Sequence, residues 1–172
     1  RAERTPVDLM GPWFQPSAWL AYWMNLNIQL TYWPVYAANQ LGLGESLTRW
    51  VARYKDNFIS NVPNADWRAD SAAVGRVTGL DLRGGAGDEL GNLPFLLHNL
   101  YWHYRYSMDE RLLRETLYPL LSRSVNFYRR KFVKKEDGKY HLPLAVSPEY
   151  EQKAEDCNYD LALCRWACQV LL

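Results

Sequence analysis

The sequence predicts an all-α fold of successive helical hairpins, joined by long loops and containing at most one short β-hairpin. Apolar residues recur at three- and four-residue steps, as one face of an α-helix requires, in four stretches: 45–62, 92–107, 109–133 and 156–172. Segments rich in glycine or proline separate these stretches. With 48% hydrophobic and 23% charged residues in a chain of 172, the composition is that of one globular domain with a substantial core.

Two helices are expected in the first third of the chain. The first helix follows the aromatic stretch that begins at Tyr22. It runs to about Leu41, where Gly42 and Gly44 would act as C-terminal breakers. The second covers Glu45–Val62 and ends before a proline.

Two segments are predicted to be irregular. Arg1–Gln15 contains two prolines and a glycine and carries no recognisable motif. Residues 64–92 mix glycines with acidic side chains, and long loops of this kind in compact domains are functional or mobile. A phosphate-binding loop is excluded because no Gly-Lys-Ser/Thr sequence ends it. Residues 64–92 therefore form either one wall of a cleft or an ordinary flexible surface loop.

The remaining helices are predicted over Asn92–Ser107, over Asp109–Val133 and from about Asp156 to the last residue. The second of these begins with acidic and ends with basic side chains, the order that the helix dipole favours. We therefore interpret its basic end as solvated rather than as a nucleic-acid-binding patch. Asp137-Gly138 forms a turn into the one extended piece, Lys139–Val146. The last helix has no terminating glycine, proline or polar cap, so we expect the domain to continue beyond it.

Composition argues against several classes of partner and cofactor. The 20 basic and 19 acidic side chains give a net charge of +1, and no apolar run reaches the length of a membrane span, so we expect neither nucleic acid nor a membrane as a partner.

His98 and His103 are five residues apart and cannot face one metal ion from a single helix, so each is expected to be a structural histidine. The spacing of Cys157, Cys164 and Cys168 matches no zinc site and indicates buried thiols. We predict no metal and no cofactor.

Asn25 and Asn27 stand two residues apart within a dense aromatic run. Such residues point the same way only in extended or looped backbone, so the helix should begin after them, with Asn27 as its N-cap. The two carboxamides, walled by aromatic rings, would then be able to orient a water molecule or sugar hydroxyls. Alternatively they cap the helix and satisfy buried backbone groups. The 8 tryptophans and 12 tyrosines of the chain likewise allow two interpretations, sugar-stacking surfaces or core packing.

Four stretches carry patterns that recur, in the same order, in one family of enzymes. They are Asn25-Leu26-Asn27 with Gln29 and Tyr32-Trp33-Pro34; His103-Tyr104-Arg105-Tyr106 with Asp109 and Tyr118-Pro119-Leu120-Leu121; Ser147-Pro148-Glu149; and Asn158-Tyr159-Asp160. They resemble the signatures N-I-N-x-(Q/E)-M-N-Y-W-P, E-H-Y-x-Y-T-x-D with Y-P-L-L, S-P-E and T-M-D of glycoside hydrolase family 95, the inverting α-L-fucosidases and α-L-galactosidases. The resemblance extends from about Trp13 to Leu172.

The resemblance implies that residues 1–172 form a single, incomplete catalytic domain, part of an (α/α)6 toroid whose loops surround a pocket. The substrate would be an oligosaccharide or glycan that ends in an α-linked L-fucose-type or galactose-type sugar. The remainder of the same domain would be the second partner, and the location would be secreted or periplasmic.

The resemblance also implies roles for individual residues. Glu149 would be the general acid, while Asn25 and Asn27 would position and polarise the attacking water. On a loop beside Tyr150 and other rings, this glutamate would be shielded from water, which favours the protonated form of an acid; an exposed glutamate without a special role is the alternative. Sugar contacts would come from Tyr22, Trp23, Phe95, His103 and Asp160. In the family the water-activating carboxylate lies further along the chain than Leu172, so this chain alone is predicted to be inactive.

Residues 64–92 depart most from the family, which carries a histidine-asparagine-rich motif and then W-P-x-G-G-A-W-L in this region. Trp67, Gly91 and Phe95 correspond only loosely, so the identity of the sugar is left open. Two other functions are compatible with the sequence. One is a different (α/α)6 glycosidase or a phosphorylase, and the other is a non-catalytic helical module that binds carbohydrate or a partner.

Overall fold

Helices form most of the chain, as the apolar periodicity predicts. The computed structural model describes residues 5–11, 19–150 and 152–172. The α-helices in these residues are α1 Asn27–Ala37, α2 Leu41–Arg53, α3 Lys55–Ser60, α4 Asn92–Ser107, α5 Glu110–Leu112, α6 Tyr118–Lys131 and α7 Asn158–Leu171. A short 3-10 helix, Ala65–Ala69, lies within the segment predicted to be irregular. Two antiparallel pairs of strands accompany them: β1 Tyr22–Trp23 with β2 Val77–Thr78, and β3 Val133–Lys134 with β4 Tyr140–His141. Residues 1–4 and 12–15 of the predicted irregular segment lie outside the described residues.

The boundary between the first two helices differs from the prediction. Asn39, whose φ is 55°, lies in the left-handed region between α1 and α2. Gly42 and Gly44, predicted to be helix breakers, instead lie in the first turn of α2. Gly44 is needed there for packing, because a Cβ atom would come within 2.9 Å of both His103 Nδ1 and the Tyr36 ring. The sequence pattern does not distinguish a glycine that ends a helix from one that admits a neighbouring side chain.

The helix predicted over Asp109–Val133 is present and contains a local irregularity. A π-helical turn, Leu113–Leu117, joins α5 to α6. Pro119 in the first turn of α6 has no N–H to donate to the carbonyl of Glu115, four residues earlier. That carbonyl accepts a hydrogen bond from Lys55 Nζ at 3.1 Å instead. The irregularity is therefore compensated by a contact from α3.

The core lies where α1, α2, α4 and α6 pack together. Its centre is the buried face of α4, where Leu93, Leu96, Leu97 and Leu100 are at most 1% exposed. Each fully buried leucine contributes about 2 kcal/mol to stability, so this stripe orders the bundle. α7 packs against α4 and α6. Within the described residues no helix has the length and apolar character needed to cross a membrane.

The two strand pairs differ in how far the sequence predicts them. The expected hairpin is β3–β4, closed by a turn in which Gly138 takes a φ of 79°. The β1–β2 pair does not follow from the sequence pattern, because its strands come from distant segments. Tyr22 pairs with Thr78 and Trp23 with Val77. This pairing brings residues 64–91 against the asparagine-containing stretch.

The three cysteines are free thiols, as their spacing predicts. Cys157 and Cys164 are buried and Cys168 is partly buried. Burial raises the pKa of the Cys164 thiol to about 12, which makes that thiol unreactive near neutral pH.

Candidate active site

One cavity of about 490 Å³ contains the three residues that the resemblance assigns to catalysis. Asn25, Asn27 and Glu149 all line its wall. The other lining residues are Leu9, Met10, Trp19, Trp23 and Arg76. The amide pair and the Ser-Pro-Glu loop, which lie far apart in the sequence, therefore line the same cavity.

Asn25 lies in the turn between β1 and α1, and Asn27 is at the start of α1. Asn25 is 2% exposed, and its Oδ1 atom has no hydrogen-bond partner among the described residues. Asn27 is the first residue of α1 rather than its cap: Leu26 takes the N-cap position and no side chain caps the helix, so the predicted capping role is wrong. Because buried polar atoms in native proteins are nearly always hydrogen-bonded, Asn25 Oδ1 requires a partner that the described residues do not supply.

Buried amides of the neighbouring helices hold this turn in place. Gln29 Nε2 donates to the carbonyl of Met24 at 2.7 Å, and Asn99 Nδ2 donates to the carbonyl of Gln29 at 3.3 Å. Gln29 and Asn99 are both fully buried. A hydrogen-bonded connection from α4 through α1 therefore fixes the backbone next to Asn25, as positioning of a reactive water requires.

Glu149 occupies a backbone position that normally selects glycine. Pro148 and Glu149 are the central residues of a β-turn closed by a hydrogen bond from Tyr150 N to Ser147 O at 3.1 Å. Glu149 has a φ of 63°, the left-handed value that turns with proline at the preceding position usually fill with glycine. A non-glycine residue costs about 1 kcal/mol in this region. Such strain is concentrated at functional sites, and here it turns a carboxylate toward the cavity.

The surroundings of Glu149 differ from the prediction in one respect. Glu149 is exposed, and Tyr150, expected to shield it, is itself 70% exposed. The expected shielding of the carboxylate by neighbouring rings is therefore wrong for this structure. The carboxylate lines the cavity from an exposed position.

The loop that carries Glu149, residues 146–153, is tied down at both ends. Ala145 and Ala154 exchange backbone hydrogen bonds of 2.9 and 3.0 Å across its base. Val146 N donates to the carbonyl of Asp88 at 3.0 Å, and the Asp88 side chain pairs with Lys153 Nζ at 2.6 Å. These contacts attach the Glu149 loop to residues 64–91.

A histidine between two aspartates strengthens the base of the same loop. His141 Nδ1 lies 2.6 Å from Asp156 Oδ2, and His141 Nε2 lies 3.1 Å from Asp137 Oδ2. Asp156 Oδ1 also accepts a hydrogen bond from Leu142 N at 2.7 Å. The hydrogen bonds to Asp156 and Asp137 raise the pKa of His141 above its ordinary value, because both partners favour the protonated ring.

Aromatic rings form one side of the cavity. Trp23 is partly buried, and its ring centroid lies 4.9 Å from that of Trp19. Trp23 Nε1 donates to the carbonyl of Trp19 at 3.3 Å, and Trp19 is 56% exposed. Ring faces of this kind suit the apolar C–H face of a sugar.

Arg76 is a lining residue that the sequence reasoning missed. No motif marks it, and its place at the cavity depends on the β1–β2 pairing. Its guanidinium forms an ion pair with Glu89, a carboxylate whose side chain is 5% exposed. The irregular loop 64–92 thus supplies part of the wall, which fits the cleft-wall interpretation of that loop. The loop contains three arginines, Arg68, Arg76 and Arg83, and no pattern in one sequence distinguishes Arg76 from the other two.

Three predicted sugar-contacting residues lie away from the cavity lining. Tyr22 is buried against Trp50, its hydroxyl donates to the Pro6 carbonyl at 3.0 Å, and burial raises its pKa to about 12. Phe95 packs its ring against the edges of neighbouring rings. His103 is 4% exposed beside Tyr36, and burial lowers its pKa. Within the described residues, these three side chains pack against other side chains of the protein and do not line the cavity.

Asp160, the fourth such residue, is fully buried in the first turn of α7. Its Oδ1 atom accepts a hydrogen bond from the Tyr128 hydroxyl at 3.2 Å, while Oδ2 has no partner among the described residues. Burial raises the pKa of this carboxyl to about 7. Asp160 does not line the cavity that contains Glu149. Of the five predicted sugar contacts, Trp23 alone belongs to that wall.

Among the described residues, no group of three or more histidine, cysteine, aspartate or glutamate side chains is arranged to hold a metal ion. The charged side chains that line the cavity are Arg76 and Glu149. The chemistry available from these residues is therefore acid–base and hydrogen-bonding chemistry.

Comparison with known proteins matches this chain to one family. A sequence model described as the glycosyl hydrolase family 95 catalytic domain matches residues 1–170. The chain is 28% identical over 163 residues to probable alpha-fucosidase A of Aspergillus niger, covering 84% of this chain and 20% of that protein. It is 26% identical over 161 residues to alpha-L-fucosidase 2 of Arabidopsis thaliana, covering 84% of this chain and 18% of that protein. The chain thus spans about a fifth of the length of these relatives.

Proposed function

The chain belongs to the glycosyl hydrolase family 95 catalytic domain, and from that premise we propose that the protein hydrolyses the bond to a terminal α-linked L-fucose-like sugar with inversion of configuration. In this proposal Glu149 is the general acid, and Asn25 and Asn27 hold the attacking water.

The observation that carries the proposal is that Asn25 and Asn27 line one cavity together with Glu149, which is far from them in the sequence. Asn25 Oδ1 is buried without a partner among the described residues. Glu149, whose backbone φ is 63°, lines the same cavity as Asn25. Inversion requires a proton donor on the leaving-group side of the sugar and a polarised water on the other. The amide pair and the glutamate suit those two tasks, because an amide both donates and accepts while a carboxyl transfers a proton.

A second carboxylate is needed to activate the water. In inverting enzymes it lies roughly 6.5 to 9.5 Å from the acid. Among the described residues Glu149 is the carboxylate that lines the cavity, so we assign the base to no residue here. We accordingly predict that the 172-residue chain alone does not hydrolyse fucosides.

L-Fucose is the sugar we favour, for two reasons. The two relatives compared above are both named as fucosidases. In addition, Trp23 and Trp19 offer apolar ring surface within the cavity, which suits the methyl group and C–H face of a 6-deoxy sugar.

The acid role is tested by comparing leaving groups in the full-length protein. We expect Glu149→Gln to lower kcat for a poor leaving group, such as an alkyl α-L-fucoside, by about 10²- to 10⁴-fold, the usual range for general acid catalysis. For dinitrophenyl α-L-fucoside the loss should be far smaller, because that leaving group needs no proton. Glu155→Gln is the matched control: Glu155 is an exposed carboxylate near the same loop, paired with Lys135.

Three results would contradict the proposal. Equal losses for both leaving groups in Glu149→Gln would remove the acid role. Initial release of α-L-fucose rather than β-L-fucose, followed by NMR, would rule out inversion. A protein that binds fucosides without any turnover would instead be a carbohydrate-binding module.

A further inference from the structure

We propose that Arg76 determines sugar specificity at the candidate active site, where it is held by Glu89 and donates hydrogen bonds to hydroxyl oxygens of an uncharged sugar. This inference rests on the proposed function and names a residue and a substrate class for it.

The backbone fixes Arg76 next to the amide pair. Met24 N donates to the carbonyl of Arg76 at 2.8 Å, and Asn25 is the next residue after Met24. On the other side Val77 pairs with Trp23 in the β1–β2 ladder. The backbone of Arg76 is therefore fixed in the cavity wall, and 47% of the Arg76 side chain is exposed.

Glu89 fixes the direction of the Arg76 side chain. The carboxylate of Glu89 is 5% exposed and forms an ion pair with the Arg76 guanidinium. Its Oε2 atom accepts a hydrogen bond from Asn92 Nδ2 at 3.3 Å, and Asn92 Oδ1 accepts from the Tyr159 hydroxyl at 3.3 Å. A buried carboxylate requires a cationic partner, and Arg76 is that partner among the described residues. This chain of contacts holds the guanidinium at Glu89, while Arg76 lines the wall of the cavity.

The charges at the cavity favour an uncharged ligand. The charge of Arg76 is balanced by Glu89, and the remaining charged residue of the lining is Glu149. A sulfated or carboxylated sugar would therefore approach Glu149 without an unpaired cation to bind it. Guanidinium carries five N–H donors, and the ion pair with Glu89 leaves others available for the lone pairs of sugar hydroxyls.

Deoxy substrates test the proposed hydrogen bonds from Arg76 directly, because each analogue lacks one hydroxyl of the sugar. In the full-length protein we compare kcat/KM for aryl α-L-fucoside with its 2-, 3- and 4-deoxy analogues. We expect the wild type to disfavour at least one analogue by about tenfold to a hundredfold, the range for a lost hydrogen bond from a charged donor. Arg76→Met should abolish the discrimination at that position, mainly through KM, and retain it at the others.

Three further variants separate specificity from folding. Arg83→Met is the matched control, because Arg83 lies on the same loop, pairs with Asp81 and does not line the cavity. It should leave all discrimination unchanged. Glu89→Gln should weaken the same discrimination that Arg76→Met abolishes, because the guanidinium loses its anchor. If Arg76→Met leaves Glu89 buried without a cation and fails to fold, Arg76→Met combined with Glu89→Gln removes that charge and takes its place.

The outcomes distinguish this inference from the function on which it rests. A wild-type protein that hydrolyses no fucoside overturns the proposed function and this inference with it. A wild-type protein that is active, with a folded Arg76→Met variant that keeps every preference or loses rate equally on all analogues, overturns this inference alone. A wild-type preference for a sulfated fucoside over the neutral one would do the same.

Discussion

The turn that carries Glu149 and the first turn of α7, which carries Asp160, place two carboxyl groups in opposite surroundings. Glu149 is exposed, lines a cavity and has a left-handed backbone. Asp160 is fully buried, accepts a hydrogen bond from Tyr128 and lies on a regular helix. Both belong to stretches that resemble family signatures, and the resemblance implies a role for each: general acid for Glu149 and a sugar contact for Asp160. The comparison therefore separates two expectations: an effect on activity at Glu149, which lines the cavity, and an effect on stability at Asp160, whose buried carboxyl does not line it.

The largest expected effect comes from replacing Glu149 with the residue that its backbone prefers. Glu149→Gly should lower kcat on alkyl fucosides by about 10²- to 10⁴-fold. It should leave the free energy of unfolding unchanged or raise it by up to about 1 kcal/mol, because glycine relieves the left-handed strain. Kinetics and urea unfolding of the full-length protein measure the two quantities.

Asn39→Gly serves as the control for that substitution, since Asn39 has a φ of 55° outside the cavity. It should keep full activity. If Glu149→Gly is instead destabilised by several kcal/mol, Glu149 has a structural role and the contrast with Asp160 disappears.

The next largest effect is expected at Asp160 and should appear in stability. Asp160→Ala leaves the buried Tyr128 hydroxyl without its acceptor and opens a small cavity, which should cost about 2 to 4 kcal/mol in unfolding free energy. Below the unfolding transition, kcat and KM per folded molecule should match the wild type. A KM raised tenfold or more in folded Asp160→Ala would instead support the sugar contact that the family resemblance implies.

The pH dependence of stability sharpens the same comparison. Burial raises the pKa of Asp160 from 3.8 to about 7 in the folded protein. Between these values the folded state holds a proton that the unfolded state has lost, so unfolding free energy should fall as pH rises from about 4 to 7 and level off above 7. Asp160→Asn removes this titration, so the difference between variant and wild type should grow over that interval. A difference that is constant with pH would show that Asp160 is ionised when folded.

The smallest expected effect concerns the base of the Glu149 loop. The hydrogen bonds to Asp156 and Asp137 raise the pKa of His141 in the folded protein. The contribution of His141 to the stability of the loop is therefore complete below the ordinary pKa of histidine, and it is lost as the pH rises through the raised pKa. Trypsin cleavage after the exposed Lys153, normalised to a free peptide, should accelerate over that range. In His141→Gln, cleavage should be fast and independent of pH. Equal pH profiles for both proteins would exclude the histidine as a clamp.

How much of this molecule the sequence predicts depends on how local each feature is. The helices at 92–107 and 158–171 follow from apolar periodicity, which is decided by neighbouring residues. Gly44 was misread because the need for a glycine comes from His103 on another helix. Arg76 was missed because its place depends on a strand pairing between distant segments. The Asn25–Glu149 grouping was anticipated through family resemblance, since no spacing rule relates positions so far apart.

The most direct test of the account is a crystal structure of the full-length protein with L-fucose bound. We expect the pyranose in the cavity between Trp23 and Arg76, with Asn25 Oδ1 within about 3.2 Å of a water or sugar hydroxyl. With the α-anomer bound, its anomeric oxygen takes the place of the leaving-group oxygen and should lie within hydrogen-bond reach of Glu149, about 2.6 to 3.2 Å. A sugar bound elsewhere, with Asn25 Oδ1 unpartnered and Glu149 out of reach, would contradict the assignment of this cavity as the active site.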